Sequence, residues 1–266
     1  MGQKTRHDSL KHPRTTAAWV VFGENLNLTQ AGDMMEVTEQ HVRKILELAD
    51  HGIAHGLGEP VPGKMCVEAL VCFALGLPHG DSPPCVGSAV RAFKIRLNDS
   101  NWSSNEARAK GMRRIAIAQL GSDQIDQKEF AKLLAVDVIK QIVPIAMRAA
   151  ASVCKDEAKK AAMLAAADEC ETHGTVKSAR KARTAAYAAA YAAAAAAAYA
   201  YADAAAYAAT AAAAAAATAA DAYADAAAYA AIAAAADEIL SLIADIGVNV
   251  LIKLGAAGTK WLALCD

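Results

Sequence analysis

Four side chains of the kind that hold zinc or run thiol chemistry fall close together: His51 and His55, four residues apart, and His79 with Cys85 in the next loop. Tetrahedral zinc needs four such donors converging on one point, and a cysteine near a histidine is the minimal nucleophile and base. The spacing matches no closed metal motif, and a glycine follows each histidine, at Gly52, Gly56 and Gly80. No nucleophile elbow, phosphate-binding glycine loop or zinc-protease helix occurs. These residues read as loop and helix-end side chains, so no metal, no cofactor and no catalytic residue is expected, and the chain reads as a non-enzyme.

A second constellation is electrostatic. Between positions 91 and 114 stand Arg91, Lys94, Arg96, Arg108, Lys110, Arg113 and Arg114 against Asp99 and Glu106, with Trp102 between two expected helices. Such a face can hold a phosphate backbone or an acidic protein surface. Over all 266 residues, however, 28 acidic side chains balance 27 basic ones for a formal charge of -1. That balance excludes a globally basic coat protein and gives little long-range steering toward nucleic acid. Nucleic-acid binding is the alternative reading and is not favoured.

The third constellation is aromatic. From Ala185 to Ala236, 39 of 52 residues are alanine, and all seven tyrosines lie in this stretch. Tyr-Ala-Asp-Ala-Ala-Ala-Tyr-Ala-Ala occurs at 201–209 and again, identically, at 223–231. At 100° per residue Tyr187, Tyr191, Tyr201 and Tyr223 fall within about 80° of one another, opposite Asp203, Thr210, Thr218, Asp221 and Asp225. Tyrosine rings supply area and hydroxyl donors where alanine lets axes approach, so this stripe is the candidate surface for a protein partner or for self-association. A structural spacer is the bland alternative. No membrane span is expected, because Lys181 and Arg183 precede the stretch, Asp203 interrupts it, and insertion-favouring residues are nearly absent.

The elements that must position these residues read as helices. Thr38 is an N-cap ahead of Val42, Ile45, Leu46 and Leu48, with Gly52 as the stop. A breaker-rich loop, Gly56 to Gly63, leads to Lys64–Leu75, apolar almost all round and therefore a central buried helix. Cys85 to Leu97 is the next helix. Ser103-Ser104-Asn105-Glu106 reads as a capping box with Ser103 as its cap, opening a helix to Leu120. Gln127–Ile142 follows, and Pro144 is placed to start another helix reaching about Glu171. Between Gly174 and Gly247 no glycine or proline occurs in 72 residues, which predicts one rod of about 105 Å or a folded-back hairpin. The apolar tail from Ile239 to Leu264 should dock on the earlier helices or on another copy. Six cysteines without a CxxC pair, and first residues without a leucine-rich secretory segment, predict a cytoplasmic protein with reduced thiols.

The string Lys181-Ala-Arg-Thr-Ala-Ala-Tyr-Ala-Ala-Ala-Tyr and the small-residue helix Arg113-Arg114-Ile-Ala-Ile-Ala-Gln resemble the immunity proteins of bacterial polymorphic toxin systems, an all-helical, alanine-rich group. The resemblance covers about a third of the chain. It implies a cytosolic protein that binds a toxin and has no catalysis of its own. The expectation is thus an all-α, non-enzymatic interaction protein. Its parts are a flexible segment 1–33, a helical domain 34–172, an alanine/tyrosine-rich helical segment 173–236 and an apolar C-terminal helical segment 237–266. A small nucleic-acid-binding or phage-type accessory protein using Arg91 to Arg114 is the alternative, and a structural or oligomerisation protein the lesser one.

Overall fold

Thr38 opens the first helix as its type requires. Its hydroxyl accepts from the His41 amide at 3.4 Å while His41 Nδ1 accepts from the Thr38 amide at 3.3 Å, a capping box with histidine in the place of glutamate. This helix, α1 (Glu39–Ala49), buries Val42, Ile45, Leu46, Leu48 and Ala49 along one stripe. The computed structural model describes residues 36–192 and 236–266, which belong to one packed unit spanning Met35–Asp266. The chain is all-α. Among the described residues the β-type pairing is confined to one isolated antiparallel bridge, Gly58 to Met65, which ties off the breaker-rich loop.

After that loop come α2 (Val67–Ala74), α3 (Ser88–Asn98), α4 (Asn105–Ala118), α5 (Gln127–Val153), α6 (Glu157–His173), α7 (Val176–Ala192) and α8 (Ala236–Leu254), with a short 3-10 turn at Ser122–Gln124 and a 3-10 stretch at Ala257–Leu264. Helices drawn from the 34–172, 173–236 and 237–266 stretches share one core: α6 packs between α5 and α7, and α8 lies across α4 and α5. No helix among the described residues is long and apolar enough to cross a membrane.

Two boundaries differ from the sequence expectation. The cap of α4 is Ser104, whose hydroxyl accepts from the Ala107 amide at 3.1 Å. Ser103 instead bonds Asp237 at the start of α8, through its amide at 2.9 Å and through its hydroxyl. Pro144 begins no helix: it sits buried inside α5, which runs on to Val153. A mid-helix proline loses one hydrogen bond and costs about 3 kcal/mol. Ile142, Val143, Ala146 and Met147 are all buried around it, and at roughly 1.5–3 kcal/mol for each large side chain their burial outweighs that penalty. The break falls later, at Cys154, and Asp156 caps α6 by accepting from the Ala158 and Lys159 amides at 3.1 Å each.

The tail does dock within the chain. Leu240, Ile243, Val250 and Leu251 of α8 are wholly buried. Gly111 lets α8 come close, since a Cβ there would run into the Trp102 ring and would lie 2.7 Å from Ser241 Oγ. Gly247 does the same from the other side, where a Cβ would meet Phe93 at 2.6 Å and Ile115 at 2.8 Å. Phe93 and Phe130 meet edge-on beneath this crossing at 6.1 Å between centroids.

Candidate functional site

An open groove lies on α6 and α7. The turn between them is fixed by Gly174 at φ 60°, a left-handed conformation that glycine adopts freely, and by Thr175 and Ser178, each of whose hydroxyls accepts from the other's amide at 3.1 Å. Each helix presents a buried stripe at helical spacing, Met163, Ala166, Ala167 and Cys170 on α6 and Ala179, Ala182 and Ala186 on α7. The alanines of both stripes bring the helix axes close, with Met163 and Cys170 as the larger side chains between them.

On the outer side a groove of about 800 Å³ is lined mainly by apolar atoms of Ala162, Val176, Ala185 and Ala188, flanked by Lys177, Arg180 and Lys181. Lys181 is held by Glu169 at 2.7 Å, and that hydrogen bond draws the Glu169 carboxyl below its usual range. Lys177 and Arg180, both exposed, make no ion pair with the described residues. The groove is therefore apolar within and basic at its edge.

The Arg91 to Arg114 set does not form one basic face. Lys94 is wholly buried, its Nζ 2.8 Å from Glu68 Oε1. Arg108 is only 5% exposed and acts as an internal strut, donating to Asn98 O at 2.8 Å, Ile53 O at 2.9 Å and Asn105 Oδ1 at 2.8 Å. Arg91 donates to Ser82 Oγ. Arg113 pairs with Asp50 and donates to Cys265 O at 3.2 Å, and Arg114 pairs with Asp245 at 3.0 Å. Lys110 and Arg96 are exposed. What reads in sequence as a stripe of seven cations is in space two internal cations, three engaged arginines and two surface residues.

The zinc-type donors do not converge either. His51, His55 and His79 are exposed, Cys85 is buried, and His79 Nε2 donates to the Gly58 carbonyl at 3.1 Å, which pins one loop to the other. Among the described residues no group of three or more His, Cys, Asp or Glu is arranged to hold a metal ion. Tyr187 and Tyr191 belong to α7, whereas Tyr201 and Tyr223 lie outside the described residues.

Sequence reasoning missed the buried pair itself. Glu68 on α2 and Lys94 on α3 are both 0% exposed, and among the described residues neither Glu68 oxygen nor Lys94 Nζ has a partner in hydrogen-bond geometry, although the two charges are in ion-pair contact. A signal for it existed. Lys94 stands on the apolar stripe Val90, Phe93, Leu97 of α3, and Glu68 stands inside the run Met65 to Val71. A charge at a core position of the helical repeat has to find an opposite charge inside.

Around the pair lie Cys66, whose Sγ accepts from the Ala69 amide at 3.3 Å, and Cys72 and Cys85. Burial pushes all three thiols up, Cys72 to about 11, and does the same to Cys170 in α6, also to about 11. These four thiols therefore stay protonated at neutral pH. No protein-family model, no curated protein and no solved structure matches this chain.

Proposed function

We propose that the chain is a non-enzymatic protein-interaction module that binds, and thereby neutralises, a protein partner such as a toxin. The observation that carries this reading is the α6/α7 groove: an apolar trough about 800 Å³ in volume with Lys177 and Arg180, which make no ion pair with the described residues, at its edge. A trough of alanine and valine takes the apolar face of a partner segment, and the cations select a segment rich in Asp and Glu. The burial of Lys94 and Arg108 and the engagement of Arg91, Arg113 and Arg114 weigh against the nucleic-acid alternative.

The test is co-expression with the product of the neighbouring gene, followed by calorimetry on the purified pair. We expect growth protection and saturable binding for the native chain. The groove variant K177E/R180E/A185W, with unchanged circular dichroism, should lose both. Binding by that variant at native affinity would remove the groove from the reading, and absence of binding by the native chain to its genomic neighbour would remove the neutralising role.

A further inference from the structure

We infer that Glu68 and Lys94 form a charge latch that holds α2 against α3 and so keeps Cys66, Cys72 and Cys85 away from solvent. The pair joins two elements whose connection, residues 75–87, is irregular and contains Gly76, Gly80 and Gly87 together with Pro78, Pro83 and Pro84. It is the ionic contact between these helices, at 2.8 Å, and both side chains are fully excluded from water. The other charged or titratable groups that act on it are Arg91, Asp81, Cys66 and Cys72 on Glu68, and Cys66 and Cys85 on Lys94. None of them supplies a hydrogen bond to the carboxylate oxygens or to Nζ. Each charge is thus tolerated inside only because the other is present, and removing one strands its partner.

The stranded charge has a short way out. A cavity of about 70 Å³ runs along this flank, walled by Cys66, Glu68, Asp81, Asn98 and Asp99, and two of these, Asp81 and Asp99, are exposed. Helix α2 is eight residues long, the shortest of the α-helices described, so lifting it breaks few backbone bonds. Local opening of a small unit costs less than global unfolding. The three thiols stand at 5%, 2% and 5% exposure in the closed state and are the groups such an opening uncovers. Cys170, 0% exposed in α6, lies outside the unit and reports on the rest of the fold.

Pulsed alkylation of the full-length chain with N-ethylmaleimide, read by mass spectrometry site by site, tests the latch. In K94M, which leaves Glu68 alone, labelling of Cys66, Cys72 and Cys85 should accelerate by about 100-fold or more, the lower end of what a stranded buried charge is worth, with Cys170 at its native rate. In E68L/K94M, where no charge remains, protection should return. If K94M does not fold, E68Q carries the same expectation, because it removes only a charge and strands Lys94. Native labelling rates in the single variant, acceleration of Cys170 in step with the other three, or a double variant as open as the single one would each overturn the latch.

Discussion

The α2–α3 end and the α6–α7 hairpin solve the same packing problem with opposite materials. At the first, charge is taken inside: Glu68, Lys94 and Arg108 are buried, and Arg108 with Asn98 stitches the loop before α2 to α3 and α4. At the second, the inside is alanine and the charges stay out, where Arg148 of α5 reaches Asp168 and Glu171 of α6 and Lys181 reaches Glu169. Buried polar groups are demanding about geometry because an unmatched one is so unfavourable. Alanine stripes are undemanding and leave the outer faces of the helices for contact with something else. The chain is therefore specified at one end and presented at the other.

The sharpest way to break this comparison is to remove one arginine from each end. Arg108→Leu leaves Asn98 O and Ile53 O buried without their donor and should cost about 3 kcal/mol or more in a urea titration. Arg148→Leu removes two ion pairs, yet its side chain is 41% exposed, so the loss should stay below about 1 kcal/mol. Equal effects would mean that the two ends do not differ in kind.

A smaller effect separates the two sides of the hairpin. Ala182→Leu overfills a position with 0% exposure between helices and should cost about 1–3 kcal/mol by thermal unfolding. Ala162→Leu on the groove side should stay within about 0.5 kcal/mol while altering partner affinity.

The smallest effect is on pH dependence. Bonds from Ser103 hold the Asp237 carboxyl below its usual value, so this contact stabilises the fold above the ordinary aspartate range and is lost as the pH falls through the lowered value. The Lys181 bond gives Glu169 the same sign. Ser103→Ala should therefore flatten the acid limb of a melting-temperature profile between about pH 3 and 5. An unchanged limb would show that the Ser103 to Asp237 contact does not form in solution.

Local signals carried most of the helical plan and little of the site. Thr38 was readable because an N-cap is satisfied within its own first turn, by His41. The choice between Ser103 and Ser104 was not, since it depends on Asp237 arriving from 134 residues away to engage Ser103. Pro144 pointed to a helix start because its missing amide is costless there, and only the burial on either side of it shows why α5 continues. The groove needs two helices packed at a particular distance, which no single stretch of sequence encodes. Lys94 and Glu68 were legible in principle as charges on apolar stripes, but counting cations along the chain placed Lys94 on a surface that the folded helix does not offer.

The position of α8 also bears on how the protein is made. The α4 face that carries Met112, Ile115 and Ala116 is closed by a helix whose first residue comes 118 positions after the last of α4, and the residues after α8 add the bonds from Gly258 to Leu120 and from Arg113 to Cys265. At about 5–20 residues per second a ribosome needs roughly 6–24 s to deliver α8 after α4 has emerged. For that interval the nascent chain carries an uncovered apolar face, the kind of surface that chaperones and proteases read as unfinished.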